Sequence, residues 1–410
     1  MVAGGCIETR KIMKITALET IRNAEFPNLL WLHIHTDEGI SGLGETFFGA
    51  QAVEAYLHES VAPQLLGQDP GRIDYIARKL YGYLGFRGSG VETRGNSAID
   101  IALWDLWGKR TRQPVYQLLG GLTREQVRVY NTCAGYRYVR QRPVQTTDNW
   151  GLDGEEGPYE DLDAFLNRAD ELALSLLQQG IQAMKIWPFD HAAENNGGLH
   201  ISPAELRRAL EPFEKIRKAV GDKMDIMVEF HSLWNLPTAC RIAEAVKPFQ
   251  PYWMEDPVKM DSLSVVGEYR QRTGLPVTAS ETLSYRTGYK DLLEAKAVDI
   301  VMPDLSWCGG ISEAKKIATM AEAHQLPVAP HDCTGPVVLT ASSHLSLNAP
   351  NALLQETVRA FYTGWYKEIV TALPIIEEGY LRLEPNPGLG LELIPDFLKR
   401  NDTYRKRSEL

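Results

Sequence analysis

In the second half of the chain, six consecutive short apolar segments each end at or next to an ionisable residue. Successive residues of this set are 23 to 27 positions apart, about the length of one strand, one helix and their connecting loops. The set consists of Glu229, Glu255, Glu281, Asp304, His331 and Glu356. In a parallel β/α barrel the carboxyl ends of all strands meet at one rim, where active groups lie. The spacing therefore predicts that these six side chains surround one site.

The apolar segments also predict the fold. From residue 127 onwards, eight strand-like segments alternate with helical stretches. The eight are Val127–Tyr130, Ala183–Trp187, Asp225–Phe230, Tyr252–Glu255, Val277–Ala279, Ile300–Met302, Val328–Ala329 and Ala352–Gln355. This alternation predicts an α/β protein with a (β/α)8 barrel of the TIM type. A doubly wound open sheet is the alternative, which the lack of a glycine-rich nucleotide loop after the first strand disfavours.

The first third of the chain has strands first and helices after. Strand-like sequence at 14–36 and 40–48 is followed by helical periodicity at 50–84 and 95–109. This order predicts a separate α+β domain before the barrel.

Composition excludes several classes of protein. The net charge is -10, the acidic residues are spread along the chain and no basic cluster is present, which argues against a nucleic-acid partner. No apolar run approaches the roughly 20 residues that a membrane span requires, and the first residues lack the apolar core of a signal peptide. Five scattered cysteines without C-x-x-C spacing disfavour a disulfide framework or a zinc site, so we expect a cytoplasmic protein.

The first three acids of the set predict a metal site. Carboxylates from Glu229, Glu255 and Glu281 would repel one another on one rim unless a cation neutralised them. Oxygen ligands with few histidines favour Mg²⁺, which keeps open coordination positions. Such a position could accept a substrate carboxylate and stabilise the charge that develops when the adjacent carbon loses its proton. A single acid after a strand is more often merely solvated, and only the regular spacing of all six residues favours a site.

The other three residues are candidates for proton chemistry. His331 suits a general base near neutral pH, and Asp304 on the preceding strand could fix its tautomer. A protonated Glu356 on the next strand could hydrogen-bond the substrate carboxylate or the ene-diolate. Structural alternatives stay open, because Asp304 could cap a helix and Glu356 could pair with an arginine.

From Lys14 to about Pro395 the chain resembles the mandelate racemase-like branch of the enolase superfamily. The resemblance is carried by the segments Gly42–Glu45 (GLGE), Ala98–Asp105 (AIDIALWD), Pro114–Gly121 (PVYQLLGG), Met254–Pro257 (MEDP), Pro303–Ser306 (PDLS), Gly309–Ile311 (GGI) and Pro387–Gly390 (PGLG). It implies an N-terminal extension, an α+β capping domain, a barrel and a C-terminal segment returning to the capping domain, at 1–12, 13–126, 127–365 and 366–410. Loops near Phe26 and at 47–50 would close the barrel and set specificity.

The resemblance also implies a Mg²⁺ cofactor held by the three glutamates, the His331–Asp304 pair as base, and a homo-oligomer, since relatives are often dimers or octamers. One departure concerns the first metal ligand, which is usually Asp and is Glu229 here. A second concerns the Lys-x-Lys of racemases, which reads Lys185-Ile186-Trp187. Lys185 matches the lysine that contacts the substrate carboxylate in relatives, whereas Trp187 stands where racemases keep their second base.

His231 follows Glu229 by two residues, so both side chains would point to one face of the strand. This Glu-Phe-His resembles the Asp-x-His of galactonate dehydratase-like members, in which the histidine protonates a departing β-hydroxyl. A structural histidine near the rim is the alternative. Arg137, Trp187 and Trp307 are further candidates for substrate binding, because aromatic faces pack against the C–H surfaces of sugars.

Together these features imply a Mg²⁺-dependent dehydratase of an aldonate-like sugar acid. The enzyme would remove the proton next to the carboxylate, pass through a stabilised ene-diolate and expel the β-hydroxyl, giving a 2-keto-3-deoxy acid. The alternative within the superfamily is an epimerase, racemase or cycloisomerase that uses His231 and His331 as its two acid/base groups. A binding protein without activity is a third possibility, which the complete set of six residues disfavours.

Overall fold

An antiparallel sheet pairs a strand near the C-terminus with a strand near the N-terminus. The computed structural model describes residues 12–81, 90–140, 142, 144, 146–152, 154 and 157–410. The strands of this sheet are β1 (Ile15–Asn23), β2 (Leu29–Thr36), β3 (Ser41–Phe47) and β13 (Thr403–Glu409), in the order β13-β1-β2-β3. Strand β13 pairs with β1 from Ala17 opposite Glu409 to Asn23 opposite Thr403. The C-terminal strand thus completes the N-terminal sheet, while the domain boundaries given above stay predictions.

Helices cover one face of this sheet. They are α1 (Ala50–Tyr56), α2 (Ala62–Leu65), α3 (Ile73–Leu80), α4 (Val91–Thr111) and α5 (Val115–Leu118), with a π-helical turn at Leu57–Val61. The single helical stretch expected at 50–84 is therefore divided, because Gly67 with a φ of 76° and Pro70 interrupt it; residues 82–84 lie outside the described part. Helix α4 begins four residues earlier than expected, at Val91 rather than Gly95.

Two glycines of the GLGE segment allow α4 to approach β3 closely. A Cβ added to Gly42 would lie 2.0 Å from the carbonyl oxygen of Ala102, and one added to Gly44 would lie 2.1 Å from that of Ala98. Only glycine fits at such distances. These two positions therefore fix the helix against the sheet.

Parallel strands form the barrel. They are β4 (Val127–Thr132), β5 (Ala183–Ile186), β6 (Asp225–Glu229), β7 (Trp253–Glu255), β8 (Val277–Ala279), β9 (Ile300–Val301) and β10 (Gln355–Thr357). Strands β4 to β9 pair in sequence order, and β10 pairs with β4. Single parallel bridges, Val301 with Val328 and Val328 with Ala352, continue the path between β9 and β10. The expected enolase-type architecture, with an α+β domain and a β/α barrel, is confirmed.

The last two expected barrel strands differ most from the observed ones, whereas the others match or differ by one or two residues at an end. The segment Val328–Ala329 makes only bridges, since Pro327 and Pro330 on either side have no N–H to donate to a ladder. The last strand begins at Gln355 rather than at Ala352, so Glu356 lies within β10 and does not follow it.

Helices surround the barrel strands. They are α6 (Asp161–Asn167), α7 (Ala169–Gln178), α8 (Asp190–Glu194), α9 (Pro203–Val220), α10 (Leu236–Val246), α11 (Leu263–Thr273), α12 (Tyr285–Glu294), α13 (Gly310–Ala323), α14 (Pro336–Asn348), α15 (Arg359–Tyr362), α16 (Tyr366–Ile369) and α17 (Pro395–Leu398). A hairpin of β11 (Ile375–Glu377) and β12 (Tyr380–Arg382) adds to the edge of β4. Among the described residues, no helix combines the length and the apolar character that crossing a membrane requires.

Candidate active site

The alternation of side chains along the parallel strands carries the candidate residues to the rim of the barrel. Met227 on β6 and Trp253 on β7 are completely buried in an apolar cluster inside the barrel. Glu229 and Glu255 follow them by two residues and therefore point to the same interior, one step nearer the carboxyl end. Lys185 has the corresponding position on β5, two residues after the buried Ala183.

Three carboxylates meet at this rim. Oxygen atoms of Glu229, Glu255 and Glu281 all lie within 4.8 Å of one another. Glu229 and Glu255 are buried, and the side chain of Glu281 is 12% exposed. The ammonium of Lys185 lies 2.6 Å from Glu255 Oε1 and 3.5 Å from Glu229 Oε2. Lys185 therefore neutralises part of the charge that the three acids bring together.

The donor set fits a divalent cation. Burial raises the pKa of Glu229 to about 7 against the opposing effect of Lys185, and burial together with Glu229 raises that of Glu255 well above its ordinary value. Buried Oε2 of Glu229 has no hydrogen-bond partner among the described residues. The burial and crowding that raise these pKa values are offset when a cation binds, and carboxylate oxygens are the hard donors that Mg²⁺ prefers.

His331 is held between two carboxylates. Its Nδ1 lies 2.7 Å from Asp304 Oδ2, and its Nε2 lies 2.9 Å from Glu281 Oε2. A parallel bridge pairs the backbones of Asp304 and His331, which explains why the two side chains meet. Burial lowers the pKa of His331, but the charge of Glu281 and further acidic neighbours outweigh burial and raise it well above the ordinary value. Asp304 therefore orients the ring and leaves Nε2 facing the carboxylates.

Among the described residues, Asp304 does not cap a helix and Glu356 does not pair with an arginine, which were the structural alternatives for these two acids. Asp304 accepts hydrogen bonds from the backbone N–H and the hydroxyl of Ser306, in a turn that ends before α13 begins. Glu356 is completely buried and pairs with Lys185 at 2.9 Å rather than with an arginine. Its carboxylate also accepts from Tyr130 at 2.8 Å.

His231 forms a second histidine–aspartate pair. Its Nδ1 lies 2.7 Å from Oδ2 of Asp190, the first residue of α8. Burial lowers the pKa of His231, but the charge of Asp190 and the hydrogen bond to it raise the pKa above the ordinary value. The backbone of His231 has a φ of 49°, a left-handed conformation that is costly for a residue with a side chain. Its N–H donates to Glu229 Oε1 at 2.6 Å, which helps to hold this conformation.

One cavity lies in front of both histidines. Its wall contains aromatic, cationic and carboxylate side chains from the barrel and from the β3–α1 loop: Phe47, Phe48, Thr132, Tyr138, Val139, Lys185, Trp187, His231, Glu281, Trp307, His331 and Cys333. Trp187 contacts His231 edge-on with ring centroids 5.8 Å apart, and Trp307 stacks on His331 at 5.5 Å. The cavity therefore unites His331, His231, Glu281 and Lys185 with both candidate tryptophans.

Arg137 is not among the residues that line this cavity. Its side chain lies against the backbone of Gly151 and Gly154 in the loop that follows β4. The structure thus separates Arg137 from the other candidate residues, and its role in substrate binding stays a prediction.

Sequence reasoning missed two polar residues beside the site. Asp190 was overlooked, although it follows β5 by only four residues, as an acid of the rim should. Arg94 near the start of α4 is the other. Its guanidinium lies 5.3 Å from the ring of Trp307 and 5.7 Å from that of Phe48, and its buried Nε has no hydrogen-bond partner within the described ranges. No spacing pattern pointed to Arg94, because it comes from the other domain.

Two families match this chain in sequence. Residues 168–397 match the family described as Enolase C-terminal domain-like, and residues 8–120 match the Mandelate racemase / muconate lactonizing enzyme, N-terminal domain. A D-galactonate dehydratase of Ralstonia pickettii (strain 12J) is 33% identical over 392 residues, which cover 93% of this chain and 92% of the relative. A D-galactonate dehydratase of Ralstonia nicotianae is 34% identical with the same coverage.

Solved structures agree with these matches. An enolase of the mandelate racemase subgroup from Agrobacterium tumefaciens is 56% identical, with a TM-score of 0.85 over 97% of this chain and 99% of that one. An enolase protein from Sargasso Sea environmental sequence is 43% identical, with a TM-score of 0.87 over 97% of this chain and 100% of the other. This chain belongs to the mandelate racemase/muconate lactonizing enzyme family of the enolase superfamily.

Proposed function

We propose that this protein is a hydro-lyase, a Mg²⁺-dependent dehydratase of an aldonate-like sugar acid. The observation that carries the proposal is the pair of histidines that line one cavity, each with Nδ1 2.7 Å from an aspartate. Elimination of water needs one group to take a proton from the α-carbon and another to give a proton to the leaving hydroxyl. The similarity to D-galactonate dehydratases supports the same reaction class.

His331 is the proposed base. With its Nδ1 bonded to Asp304, His331 would accept the α-proton at Nε2, in the form of the ring that carries no proton there. That nitrogen lies on the side of Glu281, toward the cluster of carboxylates. The α C–H bond breaks as Nε2 takes the proton, and the electron pair stays on the substrate as an enolic intermediate.

His231 is the proposed acid. The electron pair of the intermediate forms a double bond between the α- and β-carbons as the bond from the β-carbon to its hydroxyl breaks. A proton from His231 leaves with that hydroxyl as water. The enol product then tautomerises to a 2-keto-3-deoxy acid, so neither an oxidant nor a reductant is required.

Glu229, Glu255 and Glu281 are the proposed ligands of Mg²⁺. When bound, Mg²⁺ would supply the positive charge that stabilises the carboxylate of the substrate as the α-proton leaves. Lys185 would donate to the same carboxylate from the other side, and its ion pair of 2.9 Å with Glu356 would hold the ammonium in place.

The remaining contacts of the substrate would come from residues around the cavity. Trp187 and Trp307 would pack against the C–H surfaces of the hydroxylated chain, and Arg137 would bind a polar group if the loop at 151–154 released it. Trp187 occupies the position of the second base of racemases, which favours elimination over two-base racemisation.

A panel of sugar acids, including D-galactonate, tests this proposal in the presence of Mg²⁺. We expect one or a few aldonates to yield a 2-keto acid that semicarbazide traps. Exchange of the α-proton with solvent deuterium without any keto acid would instead favour an epimerase, racemase or cycloisomerase. Absence of both keto acid and exchange across aldonates and related acids would contradict an enzyme of either class on these substrates.

A further inference from the structure

Outside the active site, two histidines and a glutamate cluster on the N-terminal sheet. Glu19 on β1 lies directly opposite His33 on β2 in the antiparallel register. His35 is two residues further along β2, so its side chain lies on the same face as that of His33. Adjacent strands thus bring three potential ligands together without any loop.

The three side chains are close enough to share one ion. One ligand atom of each lies within 4.8 Å of the others, and His35 Nε2 is 2.9 Å from Glu19 Oε2. A tetrahedral ion with bonds of about 2.0–2.1 Å needs ligand atoms about 3.3 Å apart. Small side-chain rotations would close the remaining difference.

Arg405 on β13 orients the glutamate. It donates from Nε to Glu19 Oε1 at 2.7 Å, which leaves Oε2 on the side of the histidines. Ligating carboxylates in metal sites are commonly held in this way by an outer partner. The hydrogen bond from His35 lowers the pKa of Glu19 most strongly and Arg405 adds to it, so that the pKa is about 2 despite burial. Glu19 is therefore available as an ionised ligand.

His33 is the least satisfied member of the cluster. Its side chain is only 12% exposed, yet it makes no hydrogen bond to any described residue, and its nearest acid is Glu392 at 4.0 Å. Burial first, then the positive neighbours His35 and Lys109, lower its pKa to about 4. The neutral imidazole keeps a free lone pair, which is the form that binds metals.

We propose that Glu19, His33 and His35 form a second cation site, for a divalent transition metal of the Zn²⁺ type. Two imidazoles and one carboxylate favour such an ion over Mg²⁺, which prefers an all-oxygen shell. Three protein ligands leave one position for water. The ion would connect β1 with β2 and, through Arg405, with β13, so the chain ends would be held together.

Isothermal titration with Zn²⁺ tests the site on the full-length, tag-free protein in excess Mg²⁺, which would occupy the carboxylate cluster proposed in the barrel. We expect one equivalent of Zn²⁺ to bind, and visible absorption to show nitrogen ligation when Co²⁺ is used. His33→Gln and His35→Gln should abolish this binding. His200→Gln, which changes an exposed histidine, and Glu255→Gln should leave it unchanged.

Arg405→Gln keeps all three ligands and tests the orienting role. It should weaken Zn²⁺ binding by about 10- to 100-fold, since outer partners of metal ligands contribute about that much. Thermal unfolding without Zn²⁺ checks that each variant is folded. The proposal would be overturned if the wild-type protein did not bind Zn²⁺ in the presence of excess Mg²⁺. It would also be overturned if His33→Gln and His35→Gln left Zn²⁺ binding intact.

Discussion

The two histidine–aspartate pairs have the same Nδ1–Oδ2 distance of 2.7 Å, but they are held differently. Asp304 also accepts two hydrogen bonds from Ser306, at 2.7 Å and 2.6 Å. Asp190 has a buried second oxygen with no hydrogen-bond partner among the described residues. The backbones of Asp304 and His331 are bridged, whereas Asp190 reaches His231 from the first residue of α8.

This difference implies that the imidazole of His331 is fixed, whereas that of His231 can adjust its orientation. Each added hydrogen bond restricts the carboxylate, so Asp304 holds its imidazole in one orientation more strictly than Asp190 does. This suits the roles proposed above. The base must meet a proton at a fixed carbon, whereas the acid must follow a hydroxyl group as it departs.

Replacing each histidine gives the largest expected effect. His331→Asn should lower turnover by about 10³- to 10⁴-fold and abolish exchange of the α-proton, since the base of the first step is lost. His231→Asn should block product formation to a similar degree while leaving exchange measurable. Proton NMR in deuterated buffer follows exchange, and semicarbazide follows the keto acid.

The control for this comparison is His200→Asn, an exposed histidine whose loss should change neither rate. Equal residual exchange in His331→Asn and His231→Asn would contradict the division of labour between the two pairs. In that case both histidines would act on the same proton.

Replacing each aspartate tests directly how strictly it orients its histidine. Asp304→Asn should lower exchange and product formation together by about 10²- to 10³-fold, within the range of acid–base catalysis, because the amide orients His331 without its negative charge. Asp190→Asn should lower product formation by only about 10-fold and leave exchange near the wild-type rate. A larger loss of exchange in Asp190→Asn than in Asp304→Asn would reverse the comparison.

The two pairs also differ in how far sequence could predict them. The regular spacing located Asp304 and His331, because each strand of a barrel delivers its end to the same rim. The spacing of strand ends does not include Asp190, because it lies four residues beyond β5, begins a short helix and is 41 residues from its histidine. The chemistry of Arg137 makes it a candidate for substrate binding, but the packing of its side chain against Gly151 and Gly154 depends on loop contacts that no sequence periodicity indicates.

Lys185 shows another limit of prediction. Its match to relatives indicated contact with substrate, and the structure adds ion pairs with Glu255 and Glu356 at 2.6 Å and 2.9 Å. The identity of its partners depends on the stagger between β5, β7 and β10, which sequence spacing alone does not give.

The two tryptophans beside the histidines give a smaller, matched test. Trp307 Nε1 donates to the carbonyl oxygen of Phe47 at 3.0 Å, whereas Trp187 Nε1 has no hydrogen-bond partner in the described part of the chain. Trp307→Phe should therefore lower the free energy of unfolding by about 1–3 kcal/mol more than Trp187→Phe, because it also leaves a buried carbonyl unpaired. Urea denaturation measures both. Equal losses would show that ring volume alone matters at the two positions.

The smallest effect should come from two serines next to the pairs. Ser306→Ala removes one hydrogen bond to Asp304 and should lower the free energy of unfolding by about 1 kcal/mol. Ser232→Ala, beside His231, removes a buried hydroxyl that has no partner among the described residues, so the change should be about zero or slightly stabilising. Both variants are compared by urea denaturation in metal-free buffer. A larger loss of stability in Ser232→Ala than in Ser306→Ala would contradict the view that hydrogen bonds to Asp304 make the Asp304–His331 pair the more rigid one.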